Sequence, residues 1–124
     1  MANELILIVE DNEKNRKLVR DTLQYKGYQT IEAETGEDGV RLARERRPAL
    51  VLMDIQLPGI DGITALGQLR ADPTTRDIPV IAVTASVMVD DRQKIMAAGF
   101  DGYQGKPISV KEMLETVHRI LDRR

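Results

Sequence analysis

The chain has 124 residues, 42% of them hydrophobic and 31% charged, and a formal net charge of −2. That length suits one domain with its own core rather than two, and the mild acidity provides no global basic field for nucleic acid or an anionic membrane. The lack of cysteine excludes disulfides, thiolate catalysis and Cys-based zinc sites, and neither a signal-peptide pattern nor an apolar run of the ~20 residues a membrane helix needs is present.

The first apolar run, "LILIV" at 5–9, is short, branched and unbroken, as expected for a strand buried on both faces of a parallel sheet. It runs straight into Glu10 and Asp11. The spacing then predicts a helix over 13–26, with Leu18, Val19, Thr22 and Leu23 on one face, and an alternating edge strand at 28–33 ("YQTIEA"). Thr35 and Asp38 are spaced as a capping box for a helix over 36–47 that carries Val40, Leu42 and Ala43. "ALVLM" at 49–53 is a second buried strand. A helix over 62–71 follows, with Ile63, Leu66 and Leu69 at three-residue steps and a weak point at Gly67. "VIAV" at 80–83 is a third buried strand. A helix over 88–98 would turn Ile95 and Met96 inward and stop at Gly99. "DGYQG" at 101–105 reads as a short strand. In the last helix, Ser109 and Glu112 form a capping box and Val110, Met113, Leu114, Val117 and Leu121 line one face, while Arg123 and Arg124 suit the negative end. Strand–helix alternation five times over predicts an α/β fold: a flavodoxin-like (βα)5, doubly wound, five-stranded parallel sheet of order 2-1-3-4-5. No linker or repeat breaks the pattern, so residues 1–124 are expected to be a single domain without an output domain.

In such a sheet, ligands bind beyond the carboxyl ends of the strands. The residues there are Glu10 and Asp11, then Asp54, then Thr84, then Lys106 and Pro107 in "GKP". Clustered carboxylates repel unless a cation intervenes. Oxygen donors without nitrogen or sulfur favour Mg²⁺, whose open positions would take phosphoryl oxygens. Lys106 would add positive charge and Thr84 a hydrogen bond. Asp54, directly behind the central strand, is best placed as the nucleophile that forms an aspartyl phosphate.

"IVEDN", "LMDIQLPGIDG", "VTA" and "GKPIS" together resemble the receiver domain of two-component response regulators, over essentially the whole chain. The wording of the second and fourth is most similar to single-domain cell-cycle regulators of the DivK type. The resemblance implies that Asp54 is the phosphoacceptor. It implies that Asp11 and Asp54 bind Mg²⁺ directly, that Glu10 acts through water, and that the Gln56 backbone carbonyl completes the protein ligands. Lys106 would pair with the phosphoryl group and precede a cis bond to Pro107, and Thr84 and Tyr103 would be the switch pair. Gln56 and Ser86 would, by the same resemblance, occupy positions that tune phosphate lifetime in the family. Gln104 departs from the family, which places an apolar strand residue there, and so puts the fifth strand in question. The implied function is that of a bacterial, cytoplasmic phosphoprotein, which takes a phosphoryl group from a sensor histidine kinase or histidine phosphotransfer protein. It would not be an enzyme in the usual sense, but an acceptor that assists its own phosphorylation and dephosphorylation. The first helix would dock the donor. The fourth helix, fifth strand and fifth helix would present a changed face to a downstream signalling protein, with Val87, Met88 and Val89 contributing.

Plainer readings stand beside these. Glu10 and Asp11 could be a solvated loop and helix cap, Thr84 a strand end, Tyr103 packing and Pro107 an ordinary trans turn. His118 reads as a surface residue, and "RLARERRP" as a solvated helix face. Three rival functions fit the residues less well. A haloacid-dehalogenase-type phosphatase would carry a second Asp two residues after its nucleophile on the first strand, which "EDN" lacks. A flavodoxin-like cofactor binder needs small residues with bare N–H groups after that strand, where two acids would repel a phosphate. A pseudo-receiver scaffold need not retain Asp11, Asp54, Thr84 and Lys106 together.

Overall fold

Ten elements alternate along the chain of the computed structural model, which describes residues 3–85 and 89–122, the backbone alone at 89–91. They are β1 (Leu5–Val9), α1 (Glu13–Tyr25), β2 (Gln29–Ala33), α2 (Gly36–Arg46), β3 (Leu50–Asp54), α3 (Gly62–Ala71), β4 (Val80–Thr84), α4 (Val89–Ala97), β5 (Gly102–Gly105) and α5 (Val110–Asp122). Ser86, Val87, Met88, Arg123, Arg124 and the Val89 side chain, on which expectations were placed, lie outside the described residues.

All pairings are parallel, and the strand order is β2-β1-β3-β4-β5, as the alternation predicts. The unbroken apolar runs β1, β3 and β4 are central and covered on both faces. Ile6, Ile8, Leu50, Leu52, Ile81 and Val83 pack with Val19 and Leu23 of α1 and with Met113, Val117, Ile120 and Leu121 of α5. The alternate residues Leu7, Val9, Val51, Met53, Val80 and Ala82 pack with Val40 and Ala43 of α2, Ala65, Leu66 and Leu69 of α3, and Ile95 of α4. Two cores thus cover the two faces of one sheet.

Three helical residues expected inward are exposed: Leu18, Ile63 and Met96. In α3 the buried set is Gly62, Ala65, Leu66 and Leu69, the three- and four-residue spacing of a helix. Steps of three alone drift off the face, and that is why Ile63 misses it. In α1 and α4 the inner positions go to Val19 with Leu23, and to Ile95.

The strand put in question by Gln104 does form. β5 pairs with β4 from Ile81↔Gly102 to Thr84↔Gly105. Gln104 is buried there, and its side-chain N–H₂ donates to the Gly105 carbonyl at 3.5 Å. A polar residue is tolerated because its amide finds a backbone partner. α2 and α5 start as the capping boxes require, with Thr35 accepting from the Asp38 N–H and Ser109 from the Glu112 N–H. Gly99, at φ 111°, ends the α4 turn in the left-handed region that glycine favours.

Candidate functional site

The carboxyl ends of β1, β3, β4 and β5 form one rim. The β1–β3 register pairs Ile8 with Leu52, and two residues further on it sets Glu10 beside Asp54 on the same face of the sheet. Asp54 and Thr84 do not follow their strands, as expected, but end them. The Ile55 N–H donates to the Val83 carbonyl at 3.0 Å and the Lys106 N–H to the Thr84 carbonyl at 2.8 Å, which carries the ladder past both residues. Their side chains are therefore buried with the sheet. Glu10 is 4% exposed, Asp54 3% and Thr84 2%, whereas Asp11 is open to solvent.

One carboxylate oxygen from each of Glu10, Asp11 and Asp54 falls within a 4.8 Å group. The Lys106 ammonium lies 2.9 Å from Glu10 Oε1 and 2.9 Å from Asp54 Oδ2. Asp54 Oδ1 accepts the Gln56 N–H at 3.0 Å, and Glu10 Oε2 accepts the Asn12 N–H at 3.0 Å. Both buried carboxylates are thus clamped at each oxygen. The capping alternative for the acidic pair is answered by Asn12, whose side chain caps α1 by accepting the Asn15 N–H at 3.0 Å.

Burial pushes the Glu10 carboxyl above its ordinary range, and the neighbouring Asp54 adds to that, while the Asn12 N–H and the Lys106 ammonium oppose it. Burial alone would lower Lys106, but its hydrogen bonds to Asp54 and Glu10 outweigh this and hold it above the ordinary lysine value. The Glu10 shift carries a sign for stability. An acid raised on folding contributes stability below its unfolded value, and this contribution is lost as pH rises through the folded value. With metal chelated, the wild-type protein should therefore lose stability as pH climbs above 4.5. In Glu10→Gln that part of the slope should vanish. Thermal melts across this range check it, and parallel slopes for the two proteins would refute it.

Three carboxylates and one ammonium leave the cluster with a formal charge of −2. Every donor is oxygen, and the set fits a hard divalent cation such as Mg²⁺, which is held by few carboxylates and keeps coordination positions for water or phosphoryl oxygens. The Gln56 side chain is exposed and takes no part in the clamp; its backbone does. The Lys106–Pro107 bond is cis.

Tyr103 pairs with Ala82, and Thr84 stands two residues beyond Ala82, so both side chains belong to the α2/α3 face of the sheet. Tyr103 is half-buried, with the Arg92 guanidinium 5.8 Å from its ring centroid. His118 stays apart from the rim and bonds through Nδ1 to the Tyr28 hydroxyl at 3.0 Å. Two arginines of α2 pair with acids, Arg41 with Asp38 and Glu45, and Arg44 with Asp72. Sequence reasoning missed Gly62, whose Cα packs against the backbone of Asp54 and Ile55. "DG" was visible in the motif, but the need for a bare Cα shows only when α3 folds back onto Asp54.

Residues 6–118 match the family described as the response regulator receiver domain. The chain is 47% identical over 116 residues to the polar-differentiation response regulator DivK of Brucella anthropi, covering 94% of each chain. Among solved structures, it is similar to the receiver domain of the sensor histidine kinase PA1611 of Pseudomonas aeruginosa, determined with a magnesium ion coordinated in the active site cleft. That likeness has a TM-score of 0.85 and 36% identity, and covers 98% of this chain and 97% of the other. The receiver domain of the Francisella response regulator 1452 gives a TM-score of 0.91 at 25% identity, with 98% of each chain covered.

Proposed function

The chain belongs to the response regulator receiver family, and from that premise we propose that it is a phosphoacceptor that works with Mg²⁺ on Asp54. The observation that carries this reading is the clamp on Asp54. Lys106 and the Gln56 N–H hold its two oxygens, with two further carboxylates in the same cluster. An Asp54 oxygen attacks phosphorus, the P–N bond of a donor phosphohistidine breaks, and its electron pair goes to the imidazole. Asp11, Asp54 and the Gln56 carbonyl would hold the cation directly, with Glu10 acting through water. When bound, the cation supplies positive charge to the transferred phosphoryl oxygens.

The remaining residues act on the charge that moves. Lys106, now paired with Asp54, is placed to follow negative charge onto the phosphoryl group. The Thr84 hydroxyl donates to that group, and Tyr103, on the same face of the sheet, responds to the change. The protein is an acceptor that assists its own phosphorylation and dephosphorylation rather than an enzyme acting on a separate substrate. Its donor is a sensor histidine kinase or histidine phosphotransfer protein docked at α1, and its output is contact of α4, β5 and α5 with a downstream protein. No helix among the described residues is long and apolar enough to cross a membrane, and the setting we assign is the bacterial cytoplasm.

The test is covalent. A labelled phosphohistidine donor should transfer its label to the wild-type protein in Mg²⁺, with the adduct on Asp54, and Asp54→Ala should take up none. Label retained by Asp54→Ala would overturn the assignment.

A further inference from the structure

Three groups converge on the Arg16 side chain, which is only 15% exposed. Its Nη1 donates to the Glu10 carbonyl at 3.0 Å and lies 3.5 Å from Glu34 Oε1, and its Nε donates to Glu32 Oε1 at 3.1 Å. The backbone of Arg16 is set by the Asn12 cap, because its own N–H donates to the Asn12 carbonyl at 2.9 Å. The Glu10 peptide is therefore held on both sides, its N–H by the Ala33 carbonyl of β2 at 3.0 Å and its carbonyl by Arg16. Asp11 comes next in the chain, exposed, yet with a carboxylate oxygen inside the acidic cluster.

We propose that Arg16 is a positioning residue for the metal site: by fixing the Glu10 carbonyl it sets the backbone register that keeps Asp11 against Asp54, and so sets the affinity for the divalent cation. This rests on the metal reading given above. Arg16 itself touches neither cation nor phosphoryl group. Its planar fork is what the position demands, since one group must reach a carbonyl and two carboxylates at once. A lysine ammonium, drawn to the carboxylates of Glu32 and Glu34, leaves the Glu10 carbonyl without its donor. Glu32 keeps a second cationic partner in Arg20, whose Nη1 lies 3.4 Å from Glu32 Oε1. The strut between α1 and β2 can thus survive the loss of Arg16, whereas the Glu10 carbonyl loses the donor it has.

Mg²⁺ titrations by calorimetry, with thermal melts on the same samples, separate positioning from plain support. Arg16→Met and Arg16→Lys should each weaken Mg²⁺ binding at least ~10-fold, as loss of groups that orient ligands does, and Arg16→Lys should melt close to wild type. Arg20→Met, which loosens Glu32 without touching Glu10, should bind Mg²⁺ as wild type does. If Arg16→Met fails to fold, Arg16→Lys carries the test alone. Wild-type affinity in Arg16→Lys would overturn the proposal, and so would an equal loss in Arg20→Met. If the wild-type protein takes up no Mg²⁺, the metal reading falls and this inference with it; if only the variants match wild type, the positioning role alone falls.

Discussion

Lys106→Met is expected to slow phosphoryl uptake at least ~100-fold, the usual cost of removing a charge aimed at the transition state. In the metal-free protein it should also cost about 1–3 kcal/mol at neutral pH, less than the loss of a fully buried pair because the lysine side chain is 20% exposed. The cause is the same for both effects. Lys106 spans Glu10 and Asp54 at 2.9 Å each, and methionine would leave two buried carboxylates facing one another without a cation. Their charged forms would be disfavoured, so the variant should regain stability as pH falls and they protonate. Urea unfolding at neutral and mildly acidic pH, with rapid-mixing measurement of adduct formation, checks both halves. An unchanged rate of adduct formation would remove Lys106 from the chemistry.

Gly62→Ala should be nearly as damaging, from outside the set of reacting groups. A Cβ there would run into the Asp54 carbonyl oxygen and lie 2.9 Å from the Ile55 Cα. Both obstacles are backbone and cannot rotate away. The Gly62 N–H also donates to the Ile55 carbonyl at 2.9 Å, so the segment is tied where the extra atom would go. The expected cost is about 3 kcal/mol, the upper end of ordinary overpacking, with α3 driven off the end of β3 and Asp54 displaced. Gly67→Ala, in the same helix, meets nothing within 4 Å and should stabilise by about 0.5–1 kcal/mol. Urea midpoints of the two variants should therefore move in opposite directions. Two variants that move together would show that α3 does not press on the phosphoacceptor strand.

The sheet was legible because its three central strands are continuous apolar runs, and only burial on both faces supports that pattern. The acids at the strand ends were legible for the same reason, since charge abutting such runs needs compensation. Three features were hidden. Face assignments at Leu18, Ile63 and Met96 failed because an apolar residue one step off a helical stripe looks the same in sequence as one on it. The buried state of Asp54 and Thr84 depends on ladder bonds from Ile55 and Lys106, which involve backbone alone. Arg16 was passed over for a related reason: its partners are a backbone carbonyl, Glu32 on β2 and Glu34 just past it, which no local spacing connects. Gln104 shows the opposite error. Its polarity argued against a strand, yet four register pairs with β4 hold it in one.

The most direct measurement is peptide mapping by mass after incubation with Mg²⁺ and a small-molecule phosphodonor. The account predicts a labile phosphoryl adduct on the peptide that contains Asp54, lost when the metal is chelated and absent in Asp54→Ala. An adduct on another residue, or one formed equally well in the presence of chelator, would contradict it.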